Sequence, residues 1–217
     1  NGEVNVAPAI RGLGSQMAES GWTGLGGSRQ YEGSGFPGVI DLAVQEMLQS
    51  ANMSLSLLPL LTKGVIHALS LYGSDEQKAQ FLTKLTTGKW SGTMNLTEPQ
   101  AGSDLSTIKT KATPHGDHYL ISGQKIYITW GEHSETENII HLVLARLPDA
   151  PDGTQGISMF LVPKYLVNSD GSIGDKNDVK VGGIEKKLGI HGSPTCTMIY
   201  GDNGGAIGYL VGPENKG

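Results

Sequence analysis

The sequence predicts an α+β fold: a helical amino-terminal domain followed by a small antiparallel β-sandwich or barrel. Apolar residues recur at helical spacing through the first ninety or so positions, the period changes to two past Trp90, and turn-rich segments punctuate the rest of the chain. The change of period puts the boundary near residues 88 to 93, dividing the chain into domains at 1–89 and 90–217. Glycine agrees: 32 of 217 residues are Gly, well above the usual ~7%, which implies many tight turns and close backbone approaches.

Each element follows from its local pattern. "NVAPAIRGLGSQMAESG" has a weak helical period and ends at Gly21, and "GVIDLAVQEMLQSAN" sets Ile40, Leu42, Val44, Met47 and Leu48 broadly along one side. "MSLSLLPLLTKGVIHALSLYG" is apolar on nearly every face and reads as a buried helix kinked near Pro59. In the next helix Ser74 and Gln77 have capping-box spacing, and Phe81, Leu82 and Leu85 point inward. Further on, "HYLISGQKIYITW" reads as two strands around a Ser-Gly turn, and "NIIHLVLARL", "GISMFLVPKYLV" and "TCTMIYGD" as further strands. No internal repeat is visible.

Composition narrows the function. The net charge is −5, the pI is near 5.6, and no Lys/Arg run exceeds Lys186-Lys187, so there is no electrostatic footprint for nucleic acid. The lone Cys196 permits no internal disulfide, which suits a reducing, cytoplasmic setting. Neither a 20-residue apolar run nor a signal-like amino terminus is present. Because the chain begins at Asn1 and stops at "GPENKG", it is expected to be a piece of a longer protein.

Several motifs point to no chemistry. In "TGLGGSRQYEGSGFPG" Arg29 stands where the third glycine of a dinucleotide loop belongs, so an irregular link between helices is expected. His115 and His118 have His-x-x-His spacing but no companion ligands; a hairpin turn accounts for them better than a metal. No Gly-x-Ser-x-Gly is present, and "HGSPT" places Pro194 after the serine. The candidate carboxylate bases are Glu98, Asp104, Glu132, Glu135 and Glu137, with Asp104 better explained as a cap and the last three as an acidic polar loop.

"MNLTEPQAGSDLSTIKT", Met94 to Thr110, is different. Pro99 fixes the chain direction, and Ala101-Gly102-Ser103 presents consecutive amides that no large side chain shields. A phosphorylated or flat ligand and a plain polar turn both fit that pattern.

"TEPQAGSD", with "GQKIYIT" roughly two dozen residues later and "KLGIHGSPTCTMIYGDNGGAIGYLVGPENKG" at the end, resembles the acyl-CoA dehydrogenase family over essentially the whole chain. "MNLTEPQAGSDL" and "HLVLARLPDAPDGTQGISMFLVPK" look like the longer subgroup that includes the 3-methylmercaptopropionyl-CoA dehydrogenases. The resemblance implies a truncated helical domain and a complete middle β-domain of a flavoprotein. It implies that FAD lies against Met94, Leu96 and Thr97 on one side and Tyr127, Ile128 and Thr129 on the other. Gly102 and Ser103 would meet the pyrophosphate, and Ser103 also the pantetheine side of the acyl-CoA substrate. Many relatives carry Trp at the position of Tyr127 and an aromatic at that of Met94, so ring stacking is expected to differ here.

The implied reaction gives a trans-2-enoyl-CoA, the α-proton passing to a glutamate outside this chain. The implied partner is an electron-transfer flavoprotein, and the parent is expected to be a homo-oligomer. An isolated piece is expected to bind FAD weakly or not at all and to be inactive. An acyl-CoA oxidase of the same fold is one alternative. A non-catalytic assembly module, associating through the apolar Met53 to Leu71 segment, is another. Met53, Leu57 and Leu61 fit helix-interior packing better than an acyl tunnel.

Overall fold

The computed structural model describes residues 2–216. Its helical part contains α1 (Leu13–Glu19), α2 (Gly38–Tyr72) and α3 (Asp75–Thr86). α1 is shorter than its sequence period suggests. Gly12 and Gly21, with φ of 79° and 77°, lie just outside it, and the apolar residues ahead of Gly12 serve a draped segment instead of a helix. Val4 enters the β core, while Val6 and Ile10 pack with Leu55, Leu58 and Trp130.

α2 breaks at Asn52 (φ −157°, ψ 94°), not at Pro59 as expected. The Asn52 carboxamide oxygen accepts the Leu55 amide at 3.1 Å, so this residue caps a second helical segment from inside the first. Pro59 is buried and leaves the helical angles intact. α3 has the expected capping box: Ser74 Oγ accepts the Gln77 amide at 3.2 Å and Gln77 Oε1 accepts the Ser74 amide at 3.0 Å.

The β part has ten strands among the described residues. They are β1 (Trp90–Asn95), β2 (Lys111–His115), β3 (His118–Thr129), β4 (Asn138–Ala145), β5 (Ser158–Pro163), β6 (Tyr165–Val167), β7 (Ile173–Lys176), β8 (Val179–Ile184), β9 (Thr195–Tyr200) and β10 (Ala206–Val211). The main sheet runs β1-β4-β5-β10-β3-β9-β8, with β2 beside β3; β6 and β7 form a separate ribbon. His115 and His118 pair across the β2–β3 hairpin.

Two features differ from the pattern reading. β1 runs parallel to β4, whereas the other strand pairs among the described residues are antiparallel as expected. The β2–β3 hairpin lies between β1 and β4 in the chain and supplies the crossover a parallel pair needs, a direction that side-chain alternation does not report. β3 is also one strand of 12 residues, not two around Ser122-Gly123. Its first half pairs with β10 and its second with β9. Gly123 stands at the change of partner, where a Cβ would meet Thr110 Oγ1 at 2.5 Å, so this glycine serves a close approach and not a turn.

The result is three layers. Val65 and Leu69 of α2 and Phe81, Leu82 and Leu85 of α3 pack on Trp90, Ile140, Leu142 and Leu161. The opposite face of β4 and β5 meets β3 and β9 through Val143, Ala145, Phe160, Val162, Ile121, Ile128 and Met198. β4 is therefore buried along its whole length, as a strand covered on both faces must be. By length and composition α2 could cross a membrane, but its Val65 and Leu69 face belongs to this core. Val39, Leu42 and Met47 on its amino-terminal half are each more than two-thirds exposed.

Candidate functional site

β1 delivers Met94 to a short tail, Leu96 and Thr97, which ends in a tight turn. Glu98 and Ala101 close that turn by exchanging both backbone bonds, at 2.9 and 3.0 Å. One backbone bond joins the tail to β3: the Ile126 amide donates to the Thr97 carbonyl at 2.9 Å. It can do so because β3 bulges there, its register against β9 shifting between Lys125 and Ile128. The bulge leaves Tyr127 with φ 60° and 60% exposed. Sequence-distant segments 94–97 and 127–129 are thereby brought side by side.

Their polar atoms are unspent. Among the described residues, the hydroxyls of Thr97, Ser103 and Thr129 and the amides of Gly102 and Ser103 have no hydrogen-bond partner, and Thr97 and Thr129 are half-buried. Nearby threonines behave otherwise: Thr62, Thr93 and Thr110 all spend their hydroxyls within the chain. Gly102 and Ser103 are exposed on the outer arm of the turn, and a Cβ added to Gly102 would meet nothing within 4 Å. Ile128 is different, because it points into the β core and can offer a ligand only its backbone.

Glu98 does not behave as a free base. Burial alone would raise its pKa, but hydrogen bonds from Lys125, Thr110 and the Lys109 amide, with the Lys125 charge, outweigh burial and hold the carboxyl at about 2. Nor are Glu132 and Glu135 part of a solvated acidic loop, for both are buried. Glu132 Oε1 takes the Lys164 ammonium at 2.5 Å and the His133 amide at 2.8 Å, and Glu135 Oε2 takes the Gly12 amide at 2.8 Å. Gly12, at the end of the draped amino-terminal segment, and Lys164, just after β5, meet what composition alone assigns to solvent. Asp104 accepts the Ser106 amide at 2.9 Å and is a cap, as expected.

Two other arrangements carry no chemistry. Ser91 Oγ lies 3.0 Å from His133 Nε2, but His133 Nδ1 accepts the Glu135 amide at 3.1 Å. The neutral ring then carries its proton on Nε2 and donates to the serine, the reverse of nucleophile activation. In the glycine-rich link a Cβ on Gly33 would meet the Gly27 carbonyl carbon at 2.2 Å, so the glycines there let the loop pack on itself.

Lys125 and Trp130 escaped the sequence reading. Lys125 occupies the same inward phase as Ile121, and a charge on the buried face of a strand was the available signal. Trp130 has φ 53° and is fully buried, its amide donating to the Pro194 carbonyl at 2.7 Å and its indole to the Ser54 carbonyl at 3.0 Å. It ties the end of β3 to the break in α2.

Comparison with known proteins identifies the family. The model of the acyl-CoA dehydrogenase N-terminal domain matches residues 5–89, and that of the acyl-CoA dehydrogenase middle domain matches residues 93–203. A 3-methylmercaptopropionyl-CoA dehydrogenase of Ruegeria pomeroyi is 51% identical over 100% of this chain and 37% of the relative. The acyl-CoA dehydrogenase of Bacillus anthracis solved in complex with FAD aligns with TM-score 0.76 at 28% identity, over 94% of this chain and 32% of the other. A structure described as the electron transferring flavoprotein of Acidaminococcus fermentans aligns with TM-score 0.79 at 28% identity, over 98% and 55% of the two chains. This chain spans about a third of the length of the curated relative.

Proposed function

Since the chain belongs to the acyl-CoA dehydrogenase family, we propose that it supplies the amino-terminal and middle portions of an FAD-dependent enzyme that oxidises an acyl-CoA thioester to a trans-2-enoyl-CoA. The observation that carries the reading is the set of unspent groups: the Thr97, Thr129 and Ser103 hydroxyls and the Gly102 and Ser103 amides, beside exposed Tyr127. These residues fit a flavin dinucleotide. Thr97 and Thr129 offer hydroxyls to the ring edge, Met94, Leu96 and the Ile128 backbone border it, and Gly102 and Ser103 offer amides to the pyrophosphate and thioester side. Bound there, FAD supplies acceptance of the β-hydride, redox chemistry that side chains lack.

The chain's own residues bind and orient. Glu98 is committed to Lys125 and its neighbours, so in this reading the α-proton goes to a glutamate elsewhere in the longer protein. The reading also includes an electron-transferring flavoprotein as acceptor of the electrons.

The test is the absorbance spectrum from about 300 to 550 nm after incubation with excess FAD and desalting. The full-length protein is expected to retain the oxidised-flavin band near ~450 nm, and this chain alone to retain less than one equivalent. Thr97→Ala and Thr129→Ala in the full-length protein are each expected to weaken FAD binding about tenfold, the worth of one hydrogen bond, without lowering the melting temperature. A full-length protein that stays colourless under saturating FAD would sink the reading. A second reading, an assembly module, draws on the exposure of Val39, Leu42 and Met47, which lie outside the Met53 to Leu71 segment expected to associate; that segment buries Leu55, Leu58, Val65 and Leu69.

A further inference from the structure

Glu98 and Lys125 are almost completely buried, with side-chain exposures of 3% and 0%. Between them they bond to three segments beside the candidate site. Lys125 Nζ donates to the Leu96 carbonyl at 3.0 Å and to Glu98 Oε1 at 2.8 Å. Thr110 gives Oε1 both its amide, at 3.0 Å, and its hydroxyl, at 2.6 Å. Glu98 Oε2 accepts the Lys109 amide at 2.7 Å and Gln100 Nε2 at 2.6 Å. The tail of β1, the 98–101 turn, the approach to β2 and the bulge of β3 therefore meet on one ion pair.

Such a pair is a poor source of stability. Desolvating two charges cancels much of their attraction, and well-packed neutral replacements of similar volume often fold as well or better. What a fully bonded buried pair does supply is direction, since each of its donors must stand at a fixed angle and distance. The place where it acts is also where β3 leaves its register with β9. The Ile126 amide and Tyr127 have left the β3–β9 ladder, and only the bond to the Thr97 carbonyl and the Lys125 ammonium hold them to the β1 tail.

We propose that Glu98 and Lys125 are positioning residues, holding Leu96 and Thr97 in register with Ile126 and Thr129 so that both threonine hydroxyls are presented to one ligand. The assignment of that ligand rests on the proposed flavin site; the register itself does not.

The first measurement needs no cofactor: amide hydrogen exchange on this chain by NMR. The Ile126 amide is expected to exchange as slowly as the β4 amides of the core. In the neutral double variant E98Q/K125M it is expected to exchange at least about tenfold faster, while the β4 amides and the melting temperature stay as in the wild type. Fast exchange at Ile126 in the wild type overturns the proposal, as does unchanged exchange in a folded double variant. A double variant that fails to fold also overturns it, because the pair would then be an element of stability and not of position. In the flavin-loaded full-length protein the same variant is expected to bind FAD about tenfold more weakly, with an altered flavin band. If the full-length wild type holds no flavin, the functional reading fails while the exchange experiment still decides the positioning role.

Discussion

His133 and His141 sit where an added proton would have no water to solvate it. Burial, with the positive charge of Lys164, lowers both imidazole pKa values from 6.5 to about 3. Both rings are neutral in the folded chain, whereas the unfolded chain takes up their protons as the pH falls below 6.5. Stability therefore decreases as the pH drops from 6.5 towards 3. Glu98, with its folded pKa of about 2 against 4.5, makes stability fall further between pH 4.5 and 2, because protonating it leaves the buried Lys125 without its carboxylate, a cost that the neutral double variant does not carry. Melting followed by circular dichroism is expected to show a falling midpoint already between pH 6.5 and 4.5, where only the histidines act, and His141→Gln is expected to flatten that part; a flat wild-type profile there refutes the assignment. Cys196 is the converse case, its thiol pushed up to about 11 mainly by burial. A thiol-reactive dye is expected to label it in denaturant and not in the native protein. Of these residues only Cys196 is apolar enough to look buried in the sequence. Nothing local says that Ser91 and Trp130 will cover His133, or that Thr93 and Tyr200 will cover His141.

At the scale of elements, the contact between α2 and β1 is the most demanding. A Cβ on Gly92 would meet Val65 Cγ2 at 2.5 Å and Val65 Cβ at 2.7 Å, with no flexible side-chain end to yield. Gly92→Ala is expected to cost about 1–3 kcal/mol, the range for overpacking a dense core, read as a lower urea midpoint. Equal stability would mean that helix and strand are not in such close contact. The capping box of α3 was legible because its chemistry is local, three residues apart. The break in α2 was not. Asparagine is only a mild helix breaker by propensity, and the contacts that make position 52 the break come from elsewhere: the Trp130 indole on the Ser54 carbonyl, and Gly192, where a Cβ would stand 3.2 Å from Ser54 Cβ.

For the whole molecule, the exposed apolar face of α2 predicts behaviour in solution. Val39, Leu42 and Met47 lie exposed on one helix together with Met53 and Leu71. The isolated chain is expected to self-associate with rising concentration, and V39K/L42K to reduce this, both followed by static light scattering. A wild-type chain that stays monomeric at the highest concentration would contradict the expectation.

The sequence by itself determined the succession of a helical part and a β part, the cap of α3, the Asp104 cap and the family, because each rests on local periodicity, local hydrogen bonding or an unbroken run of residues; strands β1, β7, β8 and β10 were not among those it marked, nor was β6 as a strand of its own. The tertiary structure alone decided that β1 runs parallel to β4, that β3 is one bulged strand, that Glu132 and Glu135 are buried, and that Lys125 joins Glu98 beneath the candidate site. The physical reason is common to all four. Strand direction, burial of a charge and the pairing of residues 27 apart in the chain depend on which distant segment arrives to cover a face, and that is set by the packing of the layers and not by the residues on either side.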